Sequence, residues 1–191
     1  MSSSEGASAA PICQLKITLK GSKPPIWRRI LVAGDVSLAK LNVILQRVMG
    51  WTDSHLHLFT IHGRDYGVPN RELDFGQRML SEKRVRLLEV VYGEKDRFLY
   101  EYDFGDSWTH QIRLEKIILR EEGKHYPVCV AGQRACPPED CGGIWGYENF
   151  LEAIQDAEHP EHEETIEWIG GGFDAEEFNL DAVNQRLRRF R

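Results

Sequence analysis

No apolar run in this 191-residue chain approaches the length of a membrane span, so a bilayer-embedded protein is not expected. The start, MSSSEGASAA, has neither the positive region nor the apolar stretch of a secretory leader. Cysteine is sparse at four residues, three of them within a thirteen-residue window, and no C-x2-C pair occurs. On these grounds we expect a cytoplasmic protein with free or metal-bound thiols rather than disulfides. Enzyme signatures are also missing. There is no G-x-S-x-G, no P-loop, no H-E-x-x-H and no complete dinucleotide fingerprint. Positive charge is in deficit, with 24 basic residues against 30 acidic and a net charge of −6, so the chain repels phosphate backbones at long range. Nucleic acid is therefore not the expected partner. The clearest local basic candidates are Arg84, Arg86 and the terminal Arg186, Arg188, Arg189 and Arg191.

What is present suffices for one globular domain with a real core: 41% hydrophobic and 28% charged residues. We read residues 1–11 as a disordered tail and 12–191 as a single α+β domain. Leu15, Ile17 and Leu19 alternate with Lys16, Thr18 and Lys20, the period of a half-buried strand. Gly21 to Pro25 form a turn, and IWRRILVAG is its hairpin partner. Ser37 caps a helix, LAKLNVILQRVMG, whose apolar stripe is Leu38, Leu41, Leu45, Val48 and Met49, with Gly50 as a left-handed stop. A strand, HLHLFTIHG, follows, giving an N-terminal β-β-α-β unit of β-grasp-like order. RDYGVPNRELDFG is turn-rich, and RVRLLEVV is a short helix or a strand. RFLYEYDF and WTHQIRLEKIIL make the best hairpin: Phe98, Tyr100, Tyr102 and Phe104 share one face, and Trp108, His110, Ile112 and Leu114 another. KHYPVCVAGQRACPPEDCGGIWG reads as a long loop. Three C-terminal helices end the chain, the middle one beginning at His159-Pro160. The expected fold is a mixed or antiparallel sheet built from hairpins, with a C-terminal helical layer.

Four constellations could carry chemistry. Cys129, Cys136 and Cys141, spaced C-x6-C-x4-C, could hold a tetrahedral zinc with a histidine such as His125, or be small buried loop residues. His55 and His57, two apart on the expected strand, would point to one face as a metal pair, or make hydrogen bonds at a sheet margin. In YDFGDSW, Asp103, Asp106 and His110 flank Trp108; the aspartates either bind a cation or polar ligand or cap their own turn. In CPPEDCGGIWGY, Glu139 and Asp140 are adjacent acids that could serve as acid and base, cap the next helix, or pin the loop to Arg28 or Arg29. Trp51, Trp145 and Tyr147 lie beside glycines and suit a recognition surface or a core edge.

The segments ITLKGSKPPIWRRILV, MGWTDSHLHLFTI, YEYDFGDSWTHQI and CPPEDCGGIWGYENFLEAI together resemble the plasmid-pRiA ORF-three-like family. The C-terminal HPEHEETIEWIGGGFDAEEFNLDAVNQRL is similar to that family's last part. The resemblance implies a compact α+β fold. The family is largely uncharacterised, and no established catalytic residues come with it. Some members bear a label connecting them to mobile-element passenger proteins and recombination. The family's motif often looks like CPPEDVGG, without the cysteine found here at Cys141, which weakens a shared three-cysteine metal site. We therefore expect a non-catalytic module for a protein or small polar ligand, its surface built from Trp51, His55, the Asp103–His110 hairpin and the Glu139–Tyr147 loop. The alternative is a metal-dependent enzyme, such as a hydrolase, using His55, His57, Asp103, His110 or the cysteines; the third reading is nucleic-acid binding linked to mobile elements.

Overall fold

The structure, a computed structural model, describes residues 9–69 and 79–189. Residues 1–8 of the expected tail and the second half of RDYGVPNRELDFG, from residue 70 on, lie outside the described residues. β1 (Ile12–Leu19) and β2 (Trp27–Ala33) form the expected antiparallel hairpin, with Ile12 opposite Ala33 and Thr18 opposite Trp27. α1 (Leu38–Met49) follows, with the Ser37 side chain accepting from the Lys40 amide and Gly50 left-handed at the other end. β3 (His57–Ile61), β4 (Arg64–Gly67) and the two-residue β5 (Leu80–Ser81) come next. RVRLLEVV resolves as a single helical turn, α2 (Leu87–Val90). β6 (Arg97–Tyr102) and β7 (Trp108–Ile118) are the aromatic hairpin.

Two expectations need correction beyond this point. The cysteine- and proline-rich stretch is not all loop: Val128–Gln133 forms β8, and α3 (Gly143–Gln155) begins four residues before Tyr147. β8 escapes alternation because it is an edge strand with only Cys129 fully buried. The middle C-terminal helix, α4 (His162–Ile169), starts two residues after Pro160 rather than at it; α5 (Leu180–Arg188) closes the chain.

The described strands form one eight-stranded sheet in the order β5-β4-β3-β6-β7-β1-β2-β8. The pairings are antiparallel, apart from the parallel contact of β4 with β5. The β-β-α-β order is thus present along the chain, while in space β6 and β7 separate β3 from β1.

Alternation along the central strands builds two unlike faces. One face carries Leu15, Ile17, Ile30, Phe59, Tyr100, Ile112 and Leu114, all fully buried together with the apolar stripes of α1, α3 and α5. Each such side chain contributes roughly 1.5–3 kcal/mol of burial. The other face is polar: the Arg29 guanidinium donates to Glu115 at 2.7 Å, Gln14 joins the same carboxylate, and Lys16 and Arg29 lie over the Trp27 ring. At the β8 edge, Asn184 of α5 exchanges two hydrogen bonds with the backbone of Cys129, accepting its N–H at 2.8 Å and donating to its carbonyl at 2.9 Å.

Candidate functional site

Three loops meet at one end of the sheet. The first leaves α1 through Gly50 and is fixed by a buried polar network. Tyr100 donates to the Asn42 carbonyl at 2.6 Å, Gln46 donates to the Tyr100 hydroxyl at 2.8 Å, and Asn42 donates to Asp53 at 2.9 Å. Trp51 turns inward, stacks on Tyr102 at 5.0 Å and donates its indole N–H to the Pro137 carbonyl at 3.0 Å. The Ser54 amide donates to the Tyr102 hydroxyl at 3.1 Å, and His55 comes next.

The second loop is the β6–β7 turn. Asp103 sits in the left-handed region at φ +58°, a conformation that aspartate tolerates better than most residues. Its Oδ1 accepts the Gly105 amide at 2.9 Å, so it caps the turn as expected, and its Oδ2 faces His55 Nε2 at 3.6 Å. The third loop, 137–142, brings Asp140, also left-handed at φ +59°, to 3.1 Å from the same nitrogen. Asp106 and Glu139 tie this loop down. Asp106 accepts the Gly142 amide at 3.2 Å; Glu139 accepts the Thr52 amide and the Tyr102 hydroxyl on one oxygen and the Thr52 hydroxyl on the other.

His55, Asp103 and Asp140 therefore offer one nitrogen and two carboxylate oxygens, all within 4.8 Å of one another. Among the described residues this is the one group of three or more His, Cys, Asp or Glu side chains that could hold a metal ion. Asp103 is buried, His55 half-buried and Asp140 exposed, so the cluster opens to solvent on the Asp140 side. Partial burial raises the pKa of Glu139, and the hydrogen bonds from Thr52 and Tyr102 outweigh it, leaving the carboxyl below its ordinary value. Burial, then the bond to Glu139, push the Tyr102 phenol well above its own.

The remaining candidates separate. His57 does not share a face with His55, because the strand begins only at His57. Its ring is buried against Glu82 at 2.8 Å, while His55 lies in the preceding bend. Trp51, Trp108, His110 and Tyr147 are core residues rather than recognition surface. Phe104 leaves the aromatic face and is exposed. Trp145, by contrast, is 84% exposed on α3. Arg28 and Arg29 do not pin the acidic loop: Arg28 donates to the carbonyls of Trp27, Val48 and Gln133, and Arg29 pairs with Glu115.

The cysteines are free thiols and do not enter the metal-capable group. Cys129 donates to the Ala131 carbonyl at 3.4 Å. Burial pushes the Cys141 thiol up to about 12 and Cys136 higher still, which disfavours the thiolate a metal needs. His125 lies exposed in the β7–β8 connection. Sequence reasoning missed Thr52, Tyr102 and Glu82. Tyr102 carried a signal, a polar-tipped aromatic beside the turn; Glu82, separated from His57 by twenty-five residues, carried none.

Comparison with known proteins agrees with this architecture. The family model described as plasmid pRiA4b ORF-3-like protein matches residues 11–182. An uncharacterized protein, y4hQ, of Sinorhizobium fredii (strain NBRC 101917 / NGR234) is 38% identical over 181 residues, covering 93% of this chain and 91% of that protein. The crystal structure of a protein of unknown function, MM3350 from Methanosarcina mazei Go1, matches with a TM-score of 0.82 and 42% identity, over 91% of this chain and 97% of that one. Nearly the whole chain is covered by the family model and by both relatives, and it belongs to the plasmid pRiA4b ORF-3-like family.

Proposed function

We propose that the chain is a non-catalytic binding module that takes a polar ligand through a divalent cation held by His55, Asp103 and Asp140. The observation that carries this reading is the convergence of one imidazole nitrogen and two carboxylate oxygens, from three separate loops, within 4.8 Å. One nitrogen with two oxygens suits a borderline cation such as zinc or manganese. Both carboxylates sit on left-handed backbone, a strain that folded proteins concentrate at functional sites. Two neighbouring acids do different work: Asp140 faces His55, whereas Glu139 is committed to the loop.

A second reading, a metal-dependent hydrolase, draws on the same three donors, because three protein ligands leave a coordination position for water. The adjacent acid that would act as its base is Glu139. Both of its oxygens already accept hydrogen bonds from Thr52 and Tyr102, which places the binding reading ahead.

The deciding measurement is metal content of protein purified without chelator, for the wild type, His55→Ala, Asp103→Asn and Cys136→Ser. Near-stoichiometric metal in the wild type and Cys136→Ser, lost in the other two, is the expected result. A metal-free wild type, or full retention by Asp103→Asn, would sink the proposal. Hydrolysis of simple phosphate or carboxylate esters by the metal-loaded protein would move the hydrolase reading to the front.

A further inference from the structure

Away from the three-loop site, a second cavity of about 580 Å³ opens between the end of β2, the start of α1, the turn before α2 and the β7–β8 connection. That volume lies in the range of small-molecule sites. Its charge is one-sided: Lys40, Lys83, Arg84 and Arg86 line it against a single acid, Asp35. In a chain of net charge −6 this is a reversal of sign. None of the four cationic side chains makes an ion pair among the described residues. Glu89 lies beside Arg86, but accepts its backbone amide at 2.9 Å.

Four like charges lining one cavity repel one another. The frame nevertheless holds them there. The Leu38 amide donates to the Val85 carbonyl at 2.9 Å, Leu87 to Val36 at 2.9 Å and Leu88 to Gly34 at 3.1 Å, while Ser37 and Arg86 form an antiparallel bridge. The basic turn is thus clamped to the start of α1 by backbone, so little ordering remains to be done on binding. The first amides of α1 are already satisfied, by Val85, by Glu82 and by the Ser37 hydroxyl, so contacts to an anion fall to the side chains. Tyr126 supplies an aromatic part of the lining, with the Arg120 guanidinium 5.3 Å from its ring centre.

We infer that this cavity binds a phosphorylated small molecule of nucleotide size, its phosphates among Lys40, Lys83, Arg84 and Arg86 and its apolar body against Tyr126. Guanidinium and ammonium groups together make strong charge-assisted hydrogen bonds to phosphate oxygens. The site is independent of the proposed metal cluster and shares no residue with it.

The test is calorimetric titration of the full chain with ATP, pyrophosphate and adenosine, repeated with Lys83→Glu/Arg84→Glu, with Lys40→Glu and with the exposed control Lys20→Glu. Expected are sub-millimolar binding of ATP, weaker binding of pyrophosphate, no binding of adenosine, and affinity falling with added salt. Each cavity variant should lose about tenfold or more in affinity, a loss of about 1.4 kcal/mol, and the control nothing. Circular dichroism would check that each variant keeps its fold, and two separate cavity variants guard against one failing to fold. The inference is overturned if neither ATP nor pyrophosphate binds at roughly 1 mM, or if ATP binds equally well to both cavity variants. It is also overturned if a single-stranded oligonucleotide alone is retained, because the surface would then serve nucleic acid.

Discussion

His110 is fully enclosed near the start of β7, with the Trp51 ring edge-on at 5.3 Å and Tyr100 at 5.6 Å. Neither ring nitrogen makes a hydrogen bond within the described residues. Burial is the largest influence and drives its pKa down from 6.5 to about 4; the nearby backbone of Tyr100 and Trp108 offsets this a little, and Arg28 adds to it. The neutral ring is therefore part of the folded state. Its contribution is fully present above pH 6.5, where the unfolded chain's histidine is also neutral, and is lost as pH falls towards 4. That loss is on the order of 3 kcal/mol. His110→Phe should flatten the dependence of the urea midpoint on pH across this window and leave the protein at least as stable near pH 5. A wild-type midpoint that is constant between pH 6.5 and 4 would contradict this assignment. At the same scale, the sequence singled out His55, Asp103 and Asp140 among its polar candidates, and the fold brings these three together. It could not separate them from His57, Asp106 and His110, because which face a side chain takes depends on where a strand starts, and β3 starts one residue beyond Leu56.

Among elements, the long amphipathic and alternating segments were the legible ones. β1, β2, α1, β6 and β7 bury one face each, and a single period runs through them. β8 and the start of α3 were not legible, since edge position, glycine and proline erase the period there. The start of α3 is instead set by close backbone approach. A Cβ on Gly146 would collide with the Cys141 carbonyl, and one on Gly143 with the Asp106 carbonyl. Loop 137–142 and the first turn of α3 are in this way packed as one unit against the β6–β7 turn. Gly146→Ala should cost about 1–3 kcal/mol in urea denaturation and, by shifting Asp140, weaken retention of the cation proposed there. Gly63, unlike Gly146, has a positive φ, and it faces open space, so Gly63→Ala should cost only about 1 kcal/mol, from backbone conformation alone. Gly146 lies inside α3 without a positive φ, so a Gly146→Ala variant as stable as the wild type would show that the Cys141 approach is not what sets the start of α3.

For the whole molecule, the sheet keeps the two proposed sites apart. The His55, Asp103 and Asp140 cluster lies among loops where β6 ends and β3 begins, and the basic cavity lies where β2 ends and α1 starts. The sequence marked Arg84 and Arg86 as basic, but a total charge of −6 says nothing about where cations gather, and only the fold brings Lys40 beside them. An open eight-stranded sheet also leaves two flanks whose backbone could recruit a second chain. One flank is only two residues long, at β5. The other, at β8, is where Asn184 hands Cys129 the donor and acceptor that an incoming strand would otherwise supply. That carboxamide acts as a one-residue counterfeit of a neighbouring strand, and fibril-like self-templating meets a blocked terminus there. Asn184→Leu should leave the rest of the fold in place yet shorten the lag before light scattering rises in concentrated, gently warmed protein. An unchanged lag would mean that the flank is guarded by something other than this amide. If the lag shortens, a single side chain on the last helix keeps the chain a solitary particle instead of a seed.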